Sequence, residues 1–178
     1  NRIRLEQLAK KKAADLLAAQ RALDSKERQR RRNKAKKLAQ RAIAKFRKND
    51  FLGAEDLFKQ SLELDPSNKS YYYQYGISQF RNKKYNDALV SLKISRPGKK
   101  KRIEKKYYLA LTHYSLKELD AALKYFKQVR KSKQKPLDSS AAFYEGLLLY
   151  TQEKFDPATS AFEYVLDNSS DNKLDDKA

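Results

Sequence analysis

One histidine, His113, and no cysteine leave this chain few groups for covalent or metal chemistry. Nucleophilic catalysis needs an activated hydroxyl, thiol or amine beside a base. Here the one imidazole lies between Thr112 and Tyr114, with no repeated carboxylate–histidine spacing, and reads as a helix-packing residue. Without Cys there is neither a disulfide nor a thiolate metal site, although this does not identify a compartment. The four glycines are scattered, so no phosphate-cradling loop is encoded. Asn68-Lys69-Ser70 and Asn168-Ser169-Ser170 match the glycosylation tripeptide, which is short enough to arise by chance. What remains is recognition chemistry: 12 Tyr, 8 Phe and 41 Lys+Arg set against 22 Asp+Glu, for a net charge of +19. Rings offer large contact areas, and cations pair with carboxylates and phosphates. No cofactor is called for.

The elements that must position these groups declare themselves by repetition. Ala54 and Phe58 recur 34 residues on as Ala88 and Leu92, then as Ala122 and Phe126, and 36 residues later as Ala158 and Phe162. Three positions before each alanine is a bulky residue: Phe51, Tyr85, Leu119 or Phe155. Twelve before it is a small one: Ala42, Gly76, Ala110 or Gly146. A period of this size marks stacked helical units. Turns are expected at Lys48-Asn49-Asp50, Asn82-Lys83-Lys84, Lys117-Glu118 and Gln152-Glu153-Lys154. Pro66 and Pro97-Gly98 stop helices, since proline lacks the backbone donor. Pro157 suits a first turn.

On these residues the chain resembles the tetratricopeptide repeat (TPR) family, whose unit is two antiparallel helices in 34 residues. The resemblance covers 35–168, although no unit carries the tryptophan of some family members. The second unit ends early at Arg96-Pro97-Gly98, and the third runs two residues long. It implies an all-α, right-handed α-solenoid: a basic N-terminal helix over 1–34, four units at 35–68, 69–102, 103–138 and 139–168, and a polar tail at 169–178. It also implies a protein–protein interaction scaffold rather than an enzyme.

In this family the first helices line the concave groove. The matching slots are Ala39, Ile43 and Phe46; Tyr73, Ile77 and Phe80; Tyr107, Leu111 and Tyr114; Phe143, Leu147 and Tyr150. Spacings of three to four place each trio on one helical face independently of the resemblance. The expectation is an apolar, aromatic stripe flanked by Arg47, Arg81 and Tyr108, with Leu38, Tyr75 and Leu109 left for the core. Its ligand would be an apolar segment of a partner, with acidic flanks meeting the Lys/Arg surface. The chaperone-binding subgroup grips a C-terminal carboxylate with Lys, Asn and Arg. Here Ala39, Ile43, Gln74, Glu104 and Tyr108 occupy those places, so that clamp is absent.

Charge is unevenly spread: +13 over 1–50, +12 over 51–137 and −6 over 138–178. Such a field steers acidic partners and permits head-to-tail contact between copies. The cluster Arg30, Arg31, Arg32 and the turn Lys99, Lys100, Lys101, Arg102 form the basic patches, whose alternative ligands are RNA, another polyanion or an anionic membrane. One long helix, or a short hinge near Ser25, is expected to join the basic segment to the first unit. The final helix is expected to show Phe162, Tyr164, Val165 and Leu166 outward, to be covered by later residues, another copy or the N-terminal helix. An Asn start and the absence of Met suggest a processed piece of a longer protein. No run is long and apolar enough to cross a bilayer, and the compartment stays open: cytoplasmic, or periplasmic after removal of a signal.

Overall fold

In the computed structural model, residues 2–169 are described, and they are helical with no strand among them. Helix α1 spans Arg2–Arg47, α2 Phe51–Leu64, α3 Tyr71–Arg81 and α4 Tyr85–Ile94. A 3-10 turn, Lys99–Lys101, leads into α5 (Arg102–Ser115), followed by α6 (Leu119–Arg130), α7 (Leu137–Thr151) and α8 (Phe155–Ser169). The expected tail at 170–178 lies outside the described residues.

Each hairpin is built by the repeating slots. The bulky residues Phe51, Tyr85, Leu119 and Phe155 are the first residues of the even helices. The alanines that follow, Ala54, Ala88, Ala122 and Ala158, are buried, as are their partners Phe58, Leu92 and Phe126. The small slot of each odd helix faces the large slot of its even partner. A Cβ at Gly146 would stand 2.5 Å from the Phe162 ring, and one at Gly76 would stand 2.9 Å from Leu92 Cγ. Ala42 shares a cluster with Phe58, and Ala110 with Phe126, so these two hairpins accept a methyl where the other two accept only hydrogen.

All four hairpin turns use the same backbone device. Asn49, Lys83, Lys117 and Glu153 hold φ between 59° and 64°. In each case the amide of that residue reaches back to the carbonyl three before it, and the next amide to the carbonyl five before it. Asn49 N donates to Phe46 O and Asp50 N to Lys45 O, each at 3.0 Å. These are Schellman closures, a place usually given to glycine. A side chain there costs about 1–2 kcal/mol, partly offset because glycine loses about 0.5–1 kcal/mol more entropy on folding. Lys83→Gly and Lys117→Gly, both at exposed positions, are each expected to stabilise the array by roughly 0.5–1 kcal/mol, read as a raised denaturant midpoint. At the first turn Asp50 also caps α2, accepting from Gly53 N at 2.9 Å and pairing with Lys45 at 2.7 Å. The Lys45 ammonium and then the Gly53 amide hold its carboxyl below the usual range.

Contacts between helices are almost wholly between neighbours in sequence. Each odd helix also brings its backbone close to the next odd helix, α1 to α3, α3 to α5 and α5 to α7, whereas no described even helix brings its backbone as close to the next even one. The odd row is therefore the tighter, inner row of a curved stack, and the molecule is an all-α solenoid. Helix α1 has no break at Ser25: it runs into the first hairpin, and its described side chains from Lys10 to Lys34 are all exposed. It packs on α2 and α3 and on no other helix, so among the described residues it covers neither α8 nor the groove along α5 and α7.

The outer end departs from expectation. Phe162 is half-buried against α7, with its ring 6.3 Å from Phe143, and the Tyr164 hydroxyl donates to Asp138 Oδ2 at 3.0 Å. Both turn toward α7 because that is where the small residue Gly146 and the buried acid Asp138 leave room. Val165 is also only partly exposed, and Leu166, at 68% exposed, is the member of the expected group that faces outward.

Candidate functional site

The inner row presents most of the expected stripe. Ile43 and Phe46 on α1, Phe80 on α3, Tyr107, Leu111 and Tyr114 on α5, and Leu147 on α7 are partly exposed. Phe143 and Tyr150 are the most open, at 46% and 59%. The stripe is interrupted in its second unit. Tyr73 and Ile77 are 3% and 1% exposed and cluster with Leu92 and Leu109, because α3 there sits between α4 and α5. Ala39 is buried as well. These three belong to the packing and offer little side-chain surface to a partner. Conversely, Leu38 and Tyr75 are only half-buried, while Leu109 joins the core.

Ring contacts explain what holds the remaining residues in place. Phe46 meets Phe51 edge-on at 5.5 Å, Phe80 meets Tyr85 at 5.6 Å, and Tyr150 meets Phe155 edge-on at 5.5 Å. The last stripe residue of an odd helix thus clasps the first residue of its even partner across the turn. This pairing recurs five residues apart, and the spacing alone could have revealed it. Tyr107 leans on Phe126 at 6.1 Å, and Tyr114 on Tyr144 at 5.5 Å. Burial, more than the nearby Tyr144, pushes the Tyr107 phenol above its ordinary range. Arg81 stands 5.5 Å over the Phe51 ring and donates to the Tyr108 hydroxyl at 3.3 Å, tying the first three units together beside the stripe.

The basic patches are separate from this face. Arg30, Arg31 and Arg32 are exposed on the projecting part of α1, where Arg28, Arg31 and Arg32 approach Leu64–Pro66 at the end of α2. Lys99, Lys100, Lys101 and Arg102 are exposed at the junction of units two and three. His113 is buried, stacked on Tyr125 at 5.5 Å and joined through Nδ1 to the Glu118 carboxylate. Among the described residues no group of three His, Asp or Glu could hold a metal, and no helix is long and apolar enough to cross a membrane.

A curved stack of helix hairpins, with an aromatic inner row and no assembled acid–base pair among the described residues of that row, defines a helical-repeat protein. A family model described as tetratricopeptide repeat matches residues 39–92 and 107–173, more than half of the chain. The chain belongs to the tetratricopeptide repeat family. It is 28% identical to serine/threonine-protein phosphatase 5 of Rattus norvegicus, and likewise to that of Homo sapiens. Both matches run over 131 residues, which are 74% of this chain and 26% of each of those proteins. The chain thus spans about a quarter of the length of the curated relatives it matches. Among solved structures, MamA from Desulfovibrio magneticus RS-1 is 19% identical with a TM-score of 0.68, covering 79% of this chain and 78% of that one. YrrB, a TPR protein with an unusual peptide-binding site, is 24% identical with a TM-score of 0.62, covering 73% and 66%. At these identities the likeness is one of fold.

Proposed function

We propose that the protein is a non-catalytic scaffold whose inner row of odd helices holds an apolar segment of a protein partner, as one member of a larger assembly. The observation that carries this reading is the exposure of Phe143 and Tyr150 on α7, continued along the row by Leu147, Tyr114, Leu111, Tyr107, Phe80, Phe46 and Ile43. Exposed aromatic surface of this kind commonly marks an interaction site. The peptide-binding site recorded for YrrB supports the same use of the fold. Acidic flanks on the segment would suit Arg47 and Arg81, both exposed beside the row.

The test is selection of a displayed peptide library on the protein. The peptides recovered are expected to have an apolar centre and acidic flanks. The double variant Phe143→Ala/Tyr150→Ala should bind them about thirtyfold more weakly, the size expected for a hot spot worth about 2 kcal/mol. Equal binding by the variant would overturn the reading. A second reading rests on the free stretch of α1 with Arg30, Arg31 and Arg32 exposed: binding of RNA, another polyanion or an anionic membrane. It requires RNA affinity that falls linearly in log salt with a steep slope and is lost when those arginines become glutamines. Contact between copies through exposed Leu166 and Phe155 on α8 would add self-association, read by sedimentation across concentration.

A further inference from the structure

Between Ser95 and Lys106 the repeat is irregular, and the irregularity has a consequence in three dimensions. Helix α4 is 10 residues long, against 14, 12 and 15 for the other even helices. Its early end at Ile94 leaves Ser95–Gly98 to bridge to α5 as irregular chain. A depression of about 440 Å³ opens at that junction, lined by Ser95, Arg96, Pro97, Arg102, Lys105, Lys106, Leu109 and Tyr125. Four of these side chains are cations and none is an acid. Some cations of the array lie beside carboxylates, as Lys45 does with Asp50, Lys84 with Glu55 and Arg130 with Glu145. No such pair forms at Arg96, Arg102, Lys105 or Lys106 among the described residues.

Lys105 is held in place: its ammonium donates to the Ser95 carbonyl at 2.7 Å, and partial burial pushes its pKa down. Arg102 and Lys105 also stand in the first turn of α5, where the helix's own N–H groups already carry partial positive charge. Concentrated like charge of this kind is unfavourable until an anion enters. The site is distinct from the aromatic row. At 100° per residue, Lys105 and Leu109 lie on the opposite side of α5 from Tyr107.

We propose that this depression is a binding site for a phosphomonoester group, supplied either by a phosphorylated side chain of a partner or by a small phosphate ester. Two arginines and two lysines line one cavity, a residue set that suits a compact dianion, and arginine forks match phosphate oxygens. Leu109 and Tyr125 provide the apolar wall for whatever carries the phosphate. His113 stacks on one face of Tyr125, which leaves that ring less room to accept a nucleic-acid base.

The experiment is amide NMR titration of the protein with inorganic phosphate, phosphoserine and a phosphoserine peptide, with acetate as control, all at matched ionic strength. Phosphate and its esters are expected to shift amides of Ser95–Leu109 and Tyr125 in a saturable way, and acetate is not. The variant Arg102→Gln/Lys105→Gln should bind about tenfold more weakly. The distant variant Lys127→Gln/Lys131→Gln should bind as wild type. Tightest binding of the peptide identifies a phosphoprotein source, and equal binding of phosphoserine identifies a small ester; both support the site. Equal weakening by both variants, shifts spread over the whole basic surface, or RNA binding that depends on Arg102 and Lys105 without any phosphate binding would each overturn it. Peptide selection on the inner row is unaffected by these changes, so the two proposals fail separately.

Discussion

Arg130→Ala is expected to destabilise the array by about 3–5 kcal/mol, because it strands a buried carboxylate. Glu145, on α7, is 2% exposed and accepts two bonds from Arg130 on α6: from Nε at 2.7 Å and from Nη2 at 3.0 Å. Among the described residues this fork is the only direct charge pairing that Glu145 makes. The Arg130 guanidinium also sits 5.7 Å from the Tyr164 ring centre, and Tyr164 in turn donates to the buried Asp138. Removing the cation therefore loosens α6, α7 and α8 together. Urea unfolding would show a midpoint drop far beyond that of a surface arginine such as Arg31→Ala, which should stay within about 0.5 kcal/mol. The double variant Arg130→Met/Glu145→Leu should recover most of the loss, since an apolar pair leaves no buried charge to solvate. Failure to recover would mean that the cost lay in packing rather than in the orphaned acid.

Phe126→Ala is expected to be comparably damaging, at about 3–5 kcal/mol. Phe126 is fully buried where α5, α6 and α7 meet, stacked on Tyr144 at 5.0 Å and edge-on to Tyr107 at 6.1 Å. Its removal leaves a cavity that Ala110 and Ala122, its buried neighbours, cannot fill. The loss also withdraws support from Tyr107 directly and from Tyr114 through Tyr144, so peptide binding on that part of the row should weaken along with stability. Phe126→Leu, which keeps most of the volume, should do markedly less. The effect is expected to be local. In a stack of near-neighbour contacts, α5–α8 should melt before α1–α4, turning one urea transition into two.

Much of this architecture is legible in the chain itself. The alanines at 54, 88, 122 and 158 recur because each is where two helices come closest, and each proves buried. The turns are equally readable, since Asn49, Lys83, Lys117 and Glu153 recur 34 to 36 positions apart between helix-periodic segments. What spacing cannot convey is how tightly successive hairpins close on one another. Tyr73 and Tyr107 occupy the same slot, yet Tyr73 is sealed beneath Leu92 and Leu109 whereas Tyr107 keeps an open edge. Nor does it convey pairing across helices. Arg130 and Glu145 are 15 residues apart and outside the repeat pattern. The cationic depression is assembled from a shortened α4, the start of α5 and one ring of α6, so no linear motif announces it. Phe162 and Tyr164 misled for a related reason: the acid and the glycine that draw them inward lie on the preceding helix.

The confinement of contacts to near neighbours also governs how the chain finds this shape. No described helix touches one more than two places along, so every native contact between helices closes a short loop. Short loops lose little chain entropy before their contacts form, and topologies of this kind fold rapidly. Any one hairpin can serve as the starting nucleus, with each next helix docking on a surface already made. Assembly then proceeds outward in both directions, like crystal growth in one dimension, and the first hairpin grows with α1 already extended from its side.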